Sequence, residues 1–282
     1  MSGVDLPEIT SPATVIVNSF DKALARSRLA STVSSTRLNQ ADLTVARQAV
    51  TTTSGRRLPR GSLTPDMIIT ESLRLLDTEG SDGFSMPKLG RALGADPTAV
   101  YRHFSSKDDL VLAIADRLIS EAQAGLVPQA CWLDSVEQVA RRFRATCVAH
   151  PAAAALTAYR TTQGPAEIRA VDMIIGVVRQ AGFDGAEAAV VYRAIADFTL
   201  AWAGSEAAFL VLDADLQQAD RSAWSRTYRA VDRDEYPHIW SLRDELPDVH
   251  DDDIFEMVLS FFLNGLRMRA PVPCGCKEHA TV

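Results

Sequence analysis

Apolar residues recur every three to four positions through most of the chain after residue 62, which is the spacing of one face of an α-helix. Leu110, Ile114 and Leu118 form one such face, and Phe255 and Leu259 begin another near the C-terminus. Nowhere do apolar and polar residues alternate over a useful length, as they do in a half-buried β-strand. The pattern therefore predicts an all-α fold.

Capping residues, prolines and glycines mark where individual helices begin and end. Thr64-Pro65 and Ser106 open helices, His150-Pro151 ends one, and Asp184-x-x-Glu187 has the form of a capping box. At Gly204 the pattern allows either a break or a kink, and the charged segment 213–250 is expected to be partly irregular. The predicted helices cover residues 64–78, two short stretches within 85–107, 106–124, 134–149, 152–159, 165–181, 184–202, a few residues after 237, and 252–268.

The stretch 85–107 predicts two short helices joined by a tight corner. The first has an apolar face and ends at Gly94, where the corner favours a positive φ. Asp96-Pro97 opens the second helix, which buries Val100 and Phe104 and leaves polar, partly basic residues outside. Such an arrangement describes a helix-turn-helix.

Residues 64–126 resemble the DNA-binding domain of the TetR family of transcriptional regulators. The most specific part is Tyr-x-His-Phe-x-x-Lys, from Tyr101 to Lys107, placed at the family's spacing after Leu93-Gly94. A looser resemblance to the family's ligand-binding, dimerising half runs from about residue 134 to 265. The remaining residues that carry the resemblance are Ile69, Leu73, Leu76, Glu79-Gly80, Phe84, Leu89, Val100, Leu110, His150-Pro151, Ala181-Gly182-Phe183 and Tyr192.

A chain of 282 residues, 47% of them apolar, is long enough for two domains and a tail. The resemblance implies a TetR-like order of a helix-turn-helix DNA-binding domain followed by a helical ligand-binding and dimerisation domain. The first covers residues 62–126 and the second 127–270. Residues 1–61 form a Ser/Thr/Arg-rich N-terminal extension outside the resemblance, and 271–282 a flexible tail.

The net charge of −7 argues at first against a nucleic-acid partner, because phosphate contacts need Lys and Arg. The distribution of charged residues along the chain removes this objection. Residues 22–60 hold eight Lys/Arg against one acid, whereas residues 111–282 hold 16 basic and 24 acidic side chains. Arg56, Arg57 and Arg60 directly precede the folded part and predict a basic arm that enters the minor groove. A flexible tail without such a role is the alternative.

Four side chains of the second short helix are candidates for DNA contact by their helical position: Thr98, Tyr101, Arg102 and His103. We assign base reading to Arg102, because a guanidinium can bond guanine O6 and N7 together. The resemblance implies that Tyr101, His103 and Lys107 hold phosphates. Partial packing is the alternative for Tyr101, and a local packing or capping role for His103.

The first helix of the pair departs from the family. Pro87 stands where the family often has a basic or hydroxyl residue that contacts DNA. This leaves Ser85, Met86 and Lys88 as the candidate contacts on that helix.

The resemblance also implies a small-molecule cavity enclosed by the helices after residue 110. The candidate lining combines aromatic and aliphatic walls with a few polar groups, as is typical of such pockets. For each residue, ordinary core packing is the alternative, and for His150 a structural hydrogen bond. The candidates are Leu118, Phe143, Cys147, His150, Tyr159, Ile174, Tyr192 and Trp202.

The cysteines do not have the pattern of a secreted disulfide framework. The run Cys274-x-Cys276-Lys-x-His279 lacks a second pair of zinc ligands, so we predict a tail and no metal site. No cofactor and no catalytic activity are predicted, because motifs such as Gly-x-Ser-x-Gly or a phosphate loop are absent from the sequence. The sequence has no apolar run of 18 residues and no signal pattern, which favours a bacterial-type cytoplasm without membrane contact.

These observations predict a homodimeric repressor that binds a palindromic DNA operator and is released by a small-molecule effector. Helices at about 184–210 and 252–268 are expected to pair with their copies in a four-helix interface. One alternative is a DNA-binding regulator controlled by a protein partner, which would lack a cavity. Another is a helical enzyme or ligand carrier with a degenerate helix-turn-helix, which would not bind duplex DNA in a salt-dependent way.

Overall fold

The computed structural model describes residues 62–274, and within this range the chain is helical with no strand. A π-helical turn, Trp224–Tyr228, and a 3-10 turn, Leu246–Asp248, separate some of the later helices. The all-α prediction is therefore confirmed for this range. The α-helices are α1 (Pro65–Gly83), α2 (Met86–Ala92), α3 (Pro97–Tyr101), α4 (Lys107–Gln123), α5 (Trp132–Ala149), α6 (Pro151–Thr157), α7 (Pro165–Gln180), α8 (Gly185–Leu210), α9 (Ala214–Ala223), α10 (Pro237–Ser241) and α11 (Asp251–Arg269).

The predicted caps of α1 and α4 are present. The Thr64 hydroxyl accepts a hydrogen bond from the Met67 amide at 3.2 Å, and the Ser106 hydroxyl accepts one from the Asp109 amide at 3.0 Å. Helix α1 continues past the predicted end at residue 78 as far as Gly83, but its backbone leaves the helical region at Gly80, where φ is 69°. Each cap satisfies an amide that the helix itself cannot bond.

Helix α8 corrects two predictions. The Asp184 side chain forms no cap bond and instead lies 3.5 Å from Arg179, so the capping box does not form. Gly204 does not interrupt this 26-residue helix. A Cβ at Gly204 would already lie 3.4 Å from the Ala158 Cβ, so this glycine is explained by close packing within an unbroken helix.

The first of two hydrophobic cores joins the helix-turn-helix to the helices behind it. It contains Ile68, Leu89 and Leu110 from α1, α2 and α4, all fully buried. Alanines of α6 at 152–154 and Ala203 of α8 belong to the same core. Because these side chains are small, α6 approaches α1, α4 and α8 closely. Core packing thus runs across residue 126, the predicted boundary between the two domains.

The second core lies between α5, α7, α8 and α11. Phe183, Ile195, Phe255 and Leu259 are among its fully buried side chains. This core fixes the helices that follow α4 against one another, and so provides the rigid walls that an internal pocket needs.

The segment that contains α9, α10 and both irregular turns has no buried residue in any of these four elements. This agrees with the prediction of a charged, partly irregular stretch between residues 213 and 250. Between residues 62 and 274, no helix alone has the length and apolar content of a membrane span; Gly185–Leu210 and Ala214–Tyr228 reach them only as a pair bent by 111°.

The chain after α11 is held against the domain. The Val272 amide donates to the Ala181 carbonyl at 3.0 Å, and the Trp132 indole donates to the Val272 carbonyl at 3.3 Å. Cys131 and Cys274 form a disulfide with a Cα–Cα distance of 5.7 Å. Residues 271–274 thus have fixed contacts in a segment for which the sequence predicts a flexible tail. Cys276 and His279 lie outside the described residues.

A candidate DNA-binding surface and an internal pocket

The corner between α2 and α3 follows directly from its glycines. Gly94 has φ of 60°, and the bonds from the Gly94 amide to the Arg91 carbonyl and from the Ala95 amide to the Gly90 carbonyl close a Schellman motif. A Cβ at Gly90 would lie 3.1 Å from the Pro97 nitrogen, so this residue also permits the close approach of the two helices. The predicted helix-turn-helix is present.

Helix α3 and the turn after it present the predicted polar surface. The Asp96 carboxylate accepts hydrogen bonds from the Thr98 amide at 2.9 Å and from its hydroxyl at 2.7 Å. Behind this surface, Val100 and Phe104 are buried in the first core. The side chains of the surface are therefore held by a short helix with a fixed inner face. Its exposed members are Thr98, Tyr101, Arg102, His103 and Lys107.

The candidate basic residues of the helix-turn-helix differ in whether they already have partners within the protein. Lys107 donates to the Phe84 carbonyl at 3.2 Å and lies over the Phe84 ring, and Lys88 pairs with Glu79 at 2.7 Å. In contrast, Arg102 has no hydrogen-bond or ion-pair partner anywhere in residues 62–274. An unpaired, exposed guanidinium is free to bind a base edge or a phosphate.

Two other predictions about DNA contacts have different outcomes. Met86 is only 4% exposed and packs in the first core, so the structure removes it from the contact set. Ser85, by contrast, caps α2, where its hydroxyl accepts from the Lys88 amide at 3.4 Å. The predicted arm residues Arg56, Arg57 and Arg60 lie outside the described residues, and their minor-groove role stays a prediction.

A cavity of about 120 Å³ lies between α4, α5, α7 and α8. Three predicted residues line it, namely Phe143, Ile174 and Tyr192. The remaining lining residues are Ile119, Ala122, Gln123, Leu126, Val139, Arg160, Glu167, Ala170, Val171, Met173, Ala196, Thr199 and Leu200. The sequence alone gave no signal for Arg160 or Glu167, which meet at the pocket because separate segments fold together.

The other five predicted lining residues lie elsewhere. Leu118 and Cys147 belong to the first core, where burial raises the pKa of the Cys147 thiol to about 12. Tyr159 is exposed, and Trp202 packs beside Phe255 in the second core. For Leu118 and Tyr159 the following residue, Ile119 or Arg160, faces the pocket instead, so the prediction missed the orientation by one position.

His150 joins three elements, as the structural alternative for this residue anticipated. Its Nδ1 lies 2.9 Å from the Asp77 carboxylate on α1, and its Nε2 lies 3.5 Å from the Glu121 carboxylate on α4. Arg117 of α4 also pairs with Asp66 of α1. These contacts tie the first helix of the DNA-binding half to the helix that reaches the pocket.

The charged side chains at the pocket are already engaged. Arg160 donates to both carboxylate oxygens of Asp108, at 2.9 and 2.8 Å, and so holds the pKa of that carboxyl below its usual range. Glu167 accepts hydrogen bonds from the Thr162 hydroxyl at 2.8 Å and from the Gln163 amide at 2.7 Å. Asp108 lies in the first turn of α4, so Arg160 connects the pocket to the end of α4 that faces the helix-turn-helix.

Two further side chains connect α4 to α7. The Asp116 carboxylate accepts hydrogen bonds from the amides of Ala166 and Glu167, the latter at 2.9 Å, and from the Thr162 hydroxyl at 3.1 Å. The Gln123 side-chain amide donates to the Ala166 carbonyl at 2.9 Å. The first turn of α7, which forms part of the pocket wall, is thus bonded directly to α4.

Comparison with known proteins agrees with this arrangement in both halves. Residues 68–114 match the family model described as bacterial regulatory proteins, tetR family, and residues 125–270 match the model of the tetracyclin repressor-like C-terminal domain. A possible TetR family transcriptional regulator from Streptomyces coelicolor A3(2) is 30% identical, with a TM-score of 0.61 over 73% of this chain and 100% of that one.

Two curated proteins extend the comparison. An HTH-type transcriptional regulator of Saccharopolyspora erythraea is 29% identical over 62% of this chain and 72% of its own length. The class A tetracycline repressor of transposon 1721, from Escherichia coli, is 27% identical over 73% of this chain and 92% of its own length. Since the matches cover the helix-turn-helix and the helical half behind it in the same order, the chain belongs to the TetR family of transcriptional regulators.

Proposed function

We propose that this protein is a repressor that binds a palindromic operator as a homodimer and leaves it when a small organic effector occupies the pocket. The observation that carries this proposal is the position of α4. Its first residue, Lys107, lies beside the helix-turn-helix, and residues of its last turns, Ile119 and Gln123, line the pocket. One rigid element therefore contacts both the candidate DNA surface and the candidate effector site.

The DNA-binding part of the proposal rests on the exposed surface around α3. A major groove about 12 Å wide admits such a helix, and an unpaired Arg102 can then reach base edges. Lys107 and His103 at the end of the surface are suited to phosphates. Because a repressor must reach its DNA operator, the expected compartment is the cytoplasm.

The homodimer is supported by an apolar stripe on the solvent side of α11. Its members recur at helical spacing and are exposed in the single chain: Ile254, Met257, Phe261 and Met268. Met257 and Phe261 are 55% and 65% exposed. An exposed apolar stripe of this kind is typical of a surface that a partner covers. A second copy, related by twofold symmetry, would cover this stripe and place two α3 helices on one side of a duplex.

Release would follow from a preference of the effector for one of two arrangements of α4. The effector shifts the population only as far as it binds one arrangement more tightly than the other. A change of about tenfold in operator affinity requires a difference of about 1.4 kcal/mol. The bonds from Asp116 and Gln123 to the first turn of α7 are the contacts through which the pocket wall would move α4.

The proposal is tested by selecting DNA fragments from genomic DNA with the purified full-length protein and sequencing them. We expect an inverted repeat whose half-sites are about one helical turn apart, bound with an affinity that falls steeply with salt. Enrichment of no sequence over input, or a strictly monomeric protein on the selected DNA, would contradict the proposal.

A further inference from the structure

The polar groups around the pocket are not equally available to a ligand. The Arg160 guanidinium is bonded to both oxygens of Asp108, and Glu167 accepts two hydrogen bonds from the segment before α7. The Thr199 hydroxyl donates to the Ile195 carbonyl at 2.8 Å. Arg160 and Glu167 therefore already use part of their hydrogen-bonding capacity within the protein, and the Thr199 hydroxyl has donated its only proton.

Tyr192 differs from the other polar groups. Its hydroxyl has no hydrogen-bond partner in the described part of the chain, residues 62–274. Burial raises the pKa of this phenol, and the nearby Glu167 carboxylate adds to the rise. The hydroxyl is therefore protonated near neutral pH and can donate a hydrogen bond.

The Gln123 side chain can offer a ligand only an acceptor. Its side-chain amide nitrogen donates to the carbonyls of Ala166 at 2.9 Å and Ile119 at 3.2 Å. Of its two polar ends, the carbonyl oxygen alone is left for a ligand, as an acceptor. The surrounding wall is aliphatic and aromatic, with residues such as Val139, Phe143 and Ile174.

From these contacts we infer that the pocket takes an uncharged organic ligand with an apolar body and a carbonyl-type oxygen that accepts a hydrogen bond from the Tyr192 hydroxyl. This inference rests on the proposed function only in assigning the pocket as the effector site. It deepens that function by stating the chemical class of the effector.

Charged ligands fit these walls less well. An anion would face the Glu167 carboxylate, which lines the pocket. A cation would face the Arg160 guanidinium, which also lines the pocket. Glu167, which could attract a cation, already accepts two hydrogen bonds at Oε2 and lies in the first turn of α7, at the positive end of the helix dipole. The transfer of an incompletely paired charge from water to an apolar wall is strongly unfavourable.

A matched set of naphthalenes tests the inference by equilibrium dialysis against the full-length protein. The set comprises 2-acetylnaphthalene, 2-ethylnaphthalene, 2-naphthoate and 2-naphthylmethylammonium, which share one ring system and differ in the polar group. The proteins are the wild type, Tyr192→Phe, and the control Tyr228→Phe, which removes a phenol hydroxyl away from the pocket. For the effect of Tyr192→Phe, each compound is compared with itself between proteins, so its own hydration cancels.

We expect Tyr192→Phe to weaken 2-acetylnaphthalene by about 2- to 10-fold, as for the loss of one hydrogen bond, and to leave 2-ethylnaphthalene unchanged. Tyr228→Phe should change neither compound. In the wild type, the ketone should bind more tightly than the carboxylate and the ammonium. The inference is overturned if either ion binds more tightly than the ketone, if Tyr192→Phe affects the ketone and the hydrocarbon alike, or if the wild type binds none of the four.

Failure of the proposed function would look different. If 2-acetylnaphthalene binds in a Tyr192-dependent way but does not change the affinity for the selected DNA, the ligand class stands and this compound does not act as an effector. If the protein selects no DNA, the regulatory function fails whatever the dialysis gives.

Discussion

Gly164 and Asp116 lie so close together that a Cβ on Gly164 would be 2.3 Å from the Asp116 carboxyl carbon. Gly164 is the N-cap residue of α7 and has no side chain to cap the helix. Asp116, which belongs to α4, supplies the missing acceptor for the amides of Ala166 and Glu167. A helix capped by another helix cannot move independently of it without exposing these amides.

Replacing either member of the pair should have the same consequence. In Gly164→Ala the new methyl group forces the Asp116 carboxylate away from α7, and in Asp116→Ala the carboxylate is absent. Each variant should lose about 1–2 kcal/mol in the free energy of unfolding, measured by chemical denaturation. The double variant should cost little more than one alone, because both changes remove the same bonds. Additive costs would show that the two residues act separately.

Asp116→Asn tests how the cap holds the first turn of α7. The amide replaces one of the two acceptor oxygens with a donor, so the amides of Ala166 and Glu167 should exchange their hydrogens about 10-fold faster in the native state. Asp172→Asn is the matched control, because it removes the same charge from an exposed position on α7. If the amides of Ala166 and Glu167 exchange equally fast in both variants, the loss of one negative charge explains the effect and the cap does not.

Arg102 and Lys107 should affect DNA binding in different ways. Arg102→Ala should relax selection at one base pair of the operator, at a cost of about 1–3 kcal/mol in affinity. Lys107→Ala should weaken all sequences alike and reduce the slope of log affinity against log salt by about 1. Fluorescence anisotropy on operator variants at several salt concentrations measures both. Lys107 also donates a hydrogen bond to the Phe84 carbonyl, so the melting temperature of Lys107→Ala must be compared with that of the wild type.

The apolar stripe on α11 can be tested against an equally exposed residue elsewhere. Phe261 and Val127 are both 65% exposed, but Val127 lies in the loop before α5. Phe261→Glu should convert a dimer to monomers in sedimentation experiments, because a carboxylate would be buried without a partner in the interface. Val127→Glu should leave the oligomeric state unchanged. If the wild-type protein sediments as a monomer, the stripe is not a dimer interface.

The thiol of Cys147 should be unreactive in the folded protein. Its pKa is raised to about 12 by burial, so at pH 8 about one molecule in ten thousand carries the reactive thiolate. Treatment of the folded protein with iodoacetamide after reduction should therefore label the partly exposed Cys274 in preference to Cys147, as mapped by mass spectrometry. Rapid native-state labelling of Cys147 would contradict its burial. In the unfolded and reduced protein, Cys131, Cys147 and Cys274 should all react with iodoacetamide.

The disulfide itself should contribute to stability. Cys131 and Cys274 are 143 residues apart in sequence, so their bond closes a long loop. Its reduction should lower the free energy of unfolding by about 2–4 kcal/mol, seen as a lower melting temperature in the presence of a reductant. Cys274→Ser should melt like the reduced wild type and should not respond to the reductant.

Local patterns predicted most helices because the signals for helix ends are themselves local. Thr64, Ser106 and Gly94 act through bonds to residues within four positions, and these positions are visible in the sequence. The same reasoning was wrong at Asp184, where an ion pair with Arg179 replaced the cap bond. It was also wrong for Met86, because a residue in the first turn of a short helix faces either the core or the solvent according to how that helix packs.

By itself, the sequence determined the helical class, the helix-turn-helix and the exposed basic residue Arg102, since each follows from spacing and capping along one segment. Only the tertiary structure decided which residues meet at the pocket and which bonds link it to α4. Asp116, Arg160 and Glu167 come from separate segments, and their contacts arise when α4 and α7 pack together. No periodicity within a single helix encodes such a meeting, because it depends on the packing of one helix against another.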